Sequence, residues 1–145
     1  MKRILKALML LALAATLEPT VYAESGCSND TLTGNYSFNF GGWYPTVDKN
    51  GHLILPNSTI TNSVGVVAFD GAGNVSASFT ACNNGTCTKV RGKGTYSVNS
   101  DCSGKFVFGK GKNATPWSLA ISNGGSQVYA VETDVANVSG TAVKQ

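Results

Sequence analysis

The stretch NVSASFTACNNGTCTKVRGKGTYSV, residues 74–98, decides the fold class. Asn84-Gly85 is a pair favoured in two-residue type I′ turns, and apolar and polar residues alternate on both sides of it. Such a turn places Cys82 opposite Cys87, at a Cα separation of roughly 4.5 Å that suits a disulfide. Turn chemistry, cysteine geometry and alternation therefore predict one antiparallel hairpin with an apolar and a polar face.

The same register assigns the rest of the hairpin to its two faces. The polar face pairs Ser76, Ser78 and Thr80 with Lys93, Arg91 and Lys89. The apolar face collects Val75, Ala77, Phe79, Ala81, Val90, Gly92, Gly94, Tyr96 and Val98. Gly92 and Gly94 either permit sharp strand coiling or leave space inside the fold, and the sequence is compatible with both.

Short apolar alternations separated by turn residues continue along the chain, and no segment shows a sustained helical period. The predicted strands are Leu32–Phe40, Ser63–Phe69, Asn74–Cys82, Cys87–Val98, Lys105–Phe108, Thr115–Ser122, Ser126–Glu132 and Val138–Lys144. Eight antiparallel strands with one apolar face each predict an all-β, closed up-and-down barrel. A two-sheet β-sandwich is the alternative.

The N-terminus has the pattern of a cleavable signal peptide. Lys2, Arg3 and Lys6 precede the apolar run 7–15, and Val21-Tyr22-Ala23 predicts cleavage after Ala23. The run is shorter than the about 20 apolar residues of a spanning helix, so we expect no membrane span after cleavage. We therefore predict an exported protein, periplasmic or extracellular, whose mature chain 24–145 is a single β-barrel domain.

The mature chain carries little net charge and all four cysteines. Lys2, Arg3 and Lys6, set against Glu18, account for two of the three net positive charges, so the mature domain has a net charge of +1. A nucleic-acid-binding domain usually has a basic excess, which argues against that class of partner. An even number of cysteines in an exported chain predicts two disulfides. With Cys82 and Cys87 paired in the hairpin, Cys27 pairs with Cys102 by elimination, and a zinc site is disfavoured because the chain has one histidine.

Four stretches are similar, in their order, to a known group of proteins. They are LTGNYSF (32–38), FDGAGNVS (69–76), GTYSVNSDCSG (94–104), and Thr133-Asp134 followed by VSGTA (138–142). Together they resemble small secreted bacterial β-barrel proteins of uncharacterised function. The resemblance implies an eight-stranded calycin-like or allene-oxide-cyclase-like barrel, and it implies no functional residues.

Two groups of side chains are candidate binding surfaces. The first would line the barrel and bind a small apolar ligand, or would simply form the core: Phe38, Phe79, Tyr96, Trp117, Leu119 and Ile121. The second comprises the outer cations Lys89, Arg91 and Lys93, with Trp43 and Tyr44 in a long excursion predicted over residues 41–62. That excursion, with a small hairpin at Asn50-Gly51 and the run Leu53-Ile54-Leu55, could gate or plug one barrel end, or contact a partner.

No catalytic constellation emerges, so the sequence does not predict an enzyme. His52 is isolated beside a turn. Glu132 and Asp134 are two residues apart at a strand end, where carboxylates are usually solvated. The run Asp70–Asn74 is interpreted as a turn because it lacks the spaced acids of a calcium loop. We expect no metal and no cofactor.

Three functions remain open at this point. The first is a secreted barrel that binds a small hydrophobic ligand, which predicts a cavity behind Gly92 and Gly94. The second is a cell-surface or extracellular structural or interaction protein, which acts through its outer face or the excursion and predicts a filled barrel. The third, a cyclase- or isomerase-like enzyme, rests on fold analogy and predicts a buried ionisable group, which the strands as predicted do not contain.

Overall fold

The computed structural model describes residues 26–52, 54, 58–134 and 136–145, so the predicted signal peptide lies outside the described residues. Eight strands follow one another. They are β1 (Thr33–Tyr44), β2 (Thr59–Asp70), β3 (Asn74–Asn83), β4 (Thr86–Val98), β5 (Ser103–Phe108), β6 (Thr115–Ser122), β7 (Gln127–Glu132) and β8 (Asn137–Lys144). In these described ranges, no helix is long and apolar enough to cross a membrane.

The strands form a closed antiparallel barrel. Each strand pairs with the next one along the chain, and β8 closes the sheet by pairing with β1. At this seam Phe38 lies opposite Ala142 and Phe40 lies opposite Gly140. Closure pairs the two strands that would otherwise be edges. The predicted eight-stranded up-and-down barrel is confirmed, and the sandwich alternative is wrong.

The hairpin of β3 and β4 has the predicted register. Asn84 and Gly85 have φ values of 46° and 85°, as a type I′ turn requires. Cys82 and Cys87 are paired across the strands and form a disulfide with a Cα separation of 3.9 Å. Both predicted disulfides are present, since Cys27 is bonded to Cys102. Two disulfides are characteristic of an oxidising, exported environment.

β1 and β2 are longer than the sequence predicted. The pairing continues from Phe40 to Tyr44 on β1 and back to Thr59 on β2, so the excursion predicted at 41–62 is confined to residues 45–58. The predicted first strand ended at Phe40, directly before Gly41-Gly42. In the barrel, a Cβ at Gly42 would collide with the carbonyl oxygen of Asn137, so the glycine allows β8 to approach rather than ending β1.

One end of the barrel is closed by a plug. A short 3-10 turn (Asn29–Thr31) and the fully buried Leu32 lie across this end. Tyr96 donates a hydrogen bond to the carbonyl oxygens of Asn29 and Leu32, at 3.0 and 2.9 Å. The buried hydroxyl of Tyr36 donates to the carbonyl of Gly125. Both buried tyrosine hydroxyls are thus satisfied. The Tyr96 bonds fix the plug to the wall, and the Tyr36 bond fixes the connection between β6 and β7.

The two inward glycines of β4 serve close packing. A Cβ at Gly92 would meet the ring of Phe108, and a Cβ at Gly94 would meet the backbone of Val107 on β5. The space behind both glycines is therefore occupied. Both glycines therefore allow the close approach of β5. The internal space lies on the far side of the Phe108 ring, which lines it.

The two disulfides differ in the length of chain that they close, which predicts different effects on stability. Cys27 and Cys102 are 75 residues apart, whereas Cys82 and Cys87 are 5 apart. In the chain-entropy description, loss of the longer loop costs about 4 kcal/mol and loss of the shorter one about 2 kcal/mol. We expect Cys27→Ser/Cys102→Ser to lower the free energy of unfolding more than Cys82→Ser/Cys87→Ser does. Urea titrations of both double variants measure the difference, and a larger loss for the hairpin pair would contradict it.

Candidate functional site

The barrel encloses a cavity of about 300 Å³. It lies above the plug and extends towards the opposite end of the barrel, which we call the mouth, where β1, β3, β5 and β7 end. Most of the wall is apolar and is formed by Phe38, Phe40, Val67, Phe69, Ala77, Phe79, Ala81, Phe106, Phe108, Trp117, Leu119, Val128, Ala130, Val138 and Ala142. The polar lining residues are Tyr44, Thr61, Ser63, Asn83 and Thr115. The site is therefore apolar along most of its depth and polar towards the mouth.

Six aromatic side chains form a closed ring around this cavity. Their successive contacts run Phe38–Phe40, Phe40–Trp117, Trp117–Phe106, Phe106–Phe108, Phe108–Phe79 and Phe79–Phe38, with centroid separations of 4.8 to 6.4 Å. Such stacked and tilted pairs are the favoured geometries of aromatic packing. Each ring supports its neighbours along the wall, and the lumen stays open.

The six residues predicted to line the barrel separate into two sets. Phe38, Phe79, Trp117 and Leu119 line the cavity. Tyr96 and Ile121 are buried in the core but do not line it, and Tyr96 holds the plug. The prediction missed Phe40, Phe106 and Phe108. Phe40 lies two residues after Phe38, and Phe106 lies two residues before Phe108. Residues two apart on a strand share a face, and this spacing is the signal that could have identified them.

Glu132 is the residue that the sequence interpretation placed wrongly. It follows Val128 and Ala130 on the inward face of β7, lies opposite Trp117 on β6, and is only 5% exposed. Asp134, two residues later, is exposed. The expected pair of solvated carboxylates is therefore one buried and one exposed group, and the statement that the strands contain no inward charge is wrong.

Burial and neighbouring oxygens perturb the titration of this site. The hydroxyl of Tyr44 donates to Oε2 of Glu132 at 3.2 Å. Desolvation, followed by contact with Asp134 and its charge, raises the pKa of Glu132 to about 7, against a smaller lowering by the Tyr44 hydroxyl. Burial and the Glu132 charge raise the pKa of Tyr44 to about 12. Tyr44 is thus a neutral donor near pH 7, and Glu132 is divided between its two forms.

No cation of the chain offsets the Glu132 carboxylate within the described ranges. The one ion pair found there joins His52 to Asp48, at 3.2 Å and on the surface. A buried carboxylate without a cationic partner is expensive in free energy, so it remains partly protonated. This residue is the most unusual electrostatic feature of the barrel interior.

The predicted outer surface residues do not all share one face. Lys89, Arg91 and Lys93 are exposed on the outside of β4, as the register predicted. Trp43 lies opposite Ile60, which is 62% exposed, on the outer face of β1 and β2. Tyr44, the next residue, points to the inside and lines the cavity. The grouping of Trp43 with Tyr44 as one surface is therefore wrong.

The excursion lies at the mouth because it joins the end of β1 to the start of β2. Its small hairpin is confirmed, since the Asp48 N–H donates to the His52 carbonyl at 2.9 Å and Gly51 has a φ of +83°. Ile54 N–H continues the ladder to the carbonyl of Thr46. Leu53 and Leu55, the other residues of the predicted apolar run, lie outside the described residues.

The loop after β2 is a turn, as predicted. Oδ1 of Asp70 accepts hydrogen bonds from the N–H groups of Ala72 and Asn74 at 2.8 and 2.9 Å. Its second oxygen accepts the side-chain amide of Asn74 at 2.7 Å. These hydrogen bonds, that of the Asn74 side chain first, lower the pKa of Asp70. In the part of the chain that is described, no group of three or more His, Cys, Asp or Glu side chains converges.

The buried carboxyl predicts a pH dependence of stability. The folded state holds the Glu132 proton up to about pH 7, whereas an unperturbed Glu releases it near 4.5. Between these two pH values the folded state binds more protons than the unfolded state. The free energy of unfolding therefore falls by about 3 kcal/mol as the pH rises through this range. Urea unfolding between pH 5 and 8 measures this slope. We expect Glu132→Gln to abolish it and Asp134→Asn to reduce it only partly; an unchanged slope in Glu132→Gln would refute the assignment.

Comparisons with known proteins support the fold. No family model and no curated protein matches the chain. Among solved structures, the chain is similar to a de novo designed fluorescence-activating β-barrel, with a TM-score of 0.50 and 16% sequence identity. The match covers 81% of this chain and 96% of the designed one. At this identity the likeness concerns the fold alone, so the resemblance to a calycin-like family stays a prediction while the barrel that it implied is confirmed.

Proposed function

We propose that this is an exported bacterial binding protein that holds a small hydrophobic ligand inside its barrel. The observation that carries the proposal is the cavity of about 300 Å³ within the ring of six aromatic side chains. Small-molecule sites are concave, mostly apolar and provided with a few polar groups, and their volumes begin at about 300 Å³. The apolar wall and the polar mouth of this barrel have those properties.

The cavity distinguishes this proposal from action through the outer face. A barrel of eight strands is just narrow enough for side chains to fill it completely. Here Ala77, Ala81, Ala130 and Ala142 occupy lining positions where larger side chains would close the space. A protein that worked only through Lys89, Arg91 and Lys93, or through the outward Trp43, would gain stability from a filled interior.

A second candidate function is favoured by one observation, the buried carboxyl of Glu132. A carboxyl with a pKa near 7 is suited to proton transfer at neutral pH, which is what a cyclase- or isomerase-like enzyme would need. Its one described donor, Tyr44, could act as the acid. Binding and turnover differ in whether the bound molecule is recovered unchanged.

Binding is tested by mass spectrometry on protein purified from its own exported fraction. We expect the native protein to carry an additional mass that is lost on denaturation, and expect Ala81→Phe to abolish it by filling the cavity. Ala120→Phe is the matched control because Ala120 is exposed on the outside of β6. Urea unfolding checks that both variants are folded.

Each outcome of that experiment separates the functions. An additional mass that survives in Ala81→Phe, or its absence from every sample, would overturn the proposed cavity ligand. A bound molecule that is recovered chemically unchanged after incubation supports binding, whereas conversion that Glu132→Gln abolishes would favour the enzyme.

Export rests on the N-terminal sequence, and processing tests it directly. We expect the mature protein to begin at Glu24 in the periplasm or medium, with an intact mass that corresponds to two disulfides. Ala23→Arg places a large charge next to the cleavage site and should cause the precursor to accumulate. Tyr22→Ala is the control and should be processed normally. Immunoblots of cell fractions measure both forms, and efficient cleavage of Ala23→Arg would contradict the predicted site.

A further inference from the structure

Polar groups are distributed unevenly in the barrel interior. The deep wall consists of aromatic and aliphatic side chains, whereas the hydroxyls of Thr61 and Ser63 and the amide of Asn83 lie nearer the mouth. Tyr44 and Glu132 end β1 and β7 at the same end. A ligand that fits this distribution has an apolar body and one polar head, with the head at the mouth.

Glu132 lies directly behind the cavity wall, because three of its neighbours line the cavity. Ala130, two residues before it on the same face of β7, lines the cavity. So do its cross-strand neighbour Trp117 and its hydrogen-bond donor Tyr44. The carboxyl is thus next to cavity-lining residues on three strands, β1, β6 and β7.

The chemistry around this carboxyl is suited to a cation. Carboxylate oxygens accept hydrogen bonds, the Tyr44 oxygen can accept one more, and an ammonium group donates three. Trp117, the cross-strand neighbour of Glu132, is the aromatic side-chain type that attracts cations most strongly. Since no Lys or Arg of the described chain pairs with Glu132, the carboxylate would find its missing partner in the ligand.

We propose that the ligand is a small amphiphilic amine, whose ammonium group binds Glu132 and Tyr44 while its apolar body lies among the aromatic ring side chains. This inference rests on the proposed function and specifies its ligand class. An acidic amphiphile would place a second negative charge against Glu132, and a neutral one would leave the carboxylate unpaired. The site therefore selects by charge as well as by shape.

The proposal has a pH dependence of definite sign. The groups that face the Glu132 carboxyl are Tyr44 from β1 and Asp134 after β7. An alkylammonium remains charged below pH 9, as lysine does. Amine affinity should therefore increase from pH 5.5 to 8.5, as Glu132 loses its proton, and the affinity of a neutral alcohol should stay constant.

The experiment compares three probes of the same length, n-octylamine, n-octanol and octanoate, by titration calorimetry at pH 8. We expect the wild type to bind octylamine at least tenfold more tightly than octanol, and octanoate most weakly, because a hydrogen-bonded charge pair contributes that much. Glu132→Gln should remove the preference for octylamine and retain octanol binding. Asp30→Asn, the matched control at an exposed acid of the plugged end, should leave the preference unchanged within threefold.

The outcomes separate this inference from the function on which it rests. Octanol binding without a preference for octylamine in the wild type would overturn the amine and leave the cavity ligand intact. Binding of none of the three probes would overturn both. The wild-type pH profile tests the same point without a variant, and an octylamine affinity that stays level from pH 5.5 to 8.5 refutes the role of Glu132.

Discussion

The interior of this barrel depends on one steric constraint, the fit of inward aromatic rings over glycines of neighbouring strands. A Cβ on any of three glycines would collide with the aromatic residue beside it. The pairs are Gly65 with Phe79, Gly92 with Phe108, and Gly140 with Phe40. An eight-stranded barrel has room for only a limited side-chain volume, so large residues on some strands require small residues on others. Because the rings of Phe40 and Phe108 lie over glycines, they stay close to the wall, where they contact the neighbouring rings around the cavity.

This arrangement explains why the two ends of the barrel differ. At the plugged end, Leu32, Tyr36 and Tyr96 fill the lumen, and every buried tyrosine hydroxyl has a backbone acceptor. Towards the mouth, alanines and short polar residues replace them, and the lumen opens. Glu132 can be buried at that end because β1 continues to Tyr44, whose hydroxyl compensates part of the desolvation cost. The burial of this carboxyl is thus a consequence of the long first strand.

The sequence predicted the features that local chemistry determines more exactly than the side-chain packing that distant strands determine. The β3–β4 hairpin was predicted to the residue because its turn, its disulfide and its alternation lie within 25 consecutive positions, 74–98. The role of Gly92 stayed open because the ring that covers it belongs to Phe108, on another strand. Glu132 was interpreted as solvated for a related reason. Because the predicted β1 ended at Phe40, no neighbouring strand was expected to cover the end of β7. The alternation of Val128, Ala130 and Glu132 on one face of β7 was the signal that could have predicted the burial of Glu132.

The two sides of the mouth are held by different interactions, one covalent and the other a hydrogen bond. On one side, the Cys82–Cys87 disulfide and a type I′ turn fix the tip of the β3–β4 hairpin beside the lining residue Asn83. On the other side, β1 and β7 end at Tyr44 and Glu132, which are joined by a hydrogen bond. A cavity bounded by a covalently fixed wall is largely pre-formed, which reduces the ordering cost of binding. An ammonium head bound to Glu132 and Tyr44 would then lie on the side of the mouth that the disulfide does not fix, with its apolar body towards the aromatic ring.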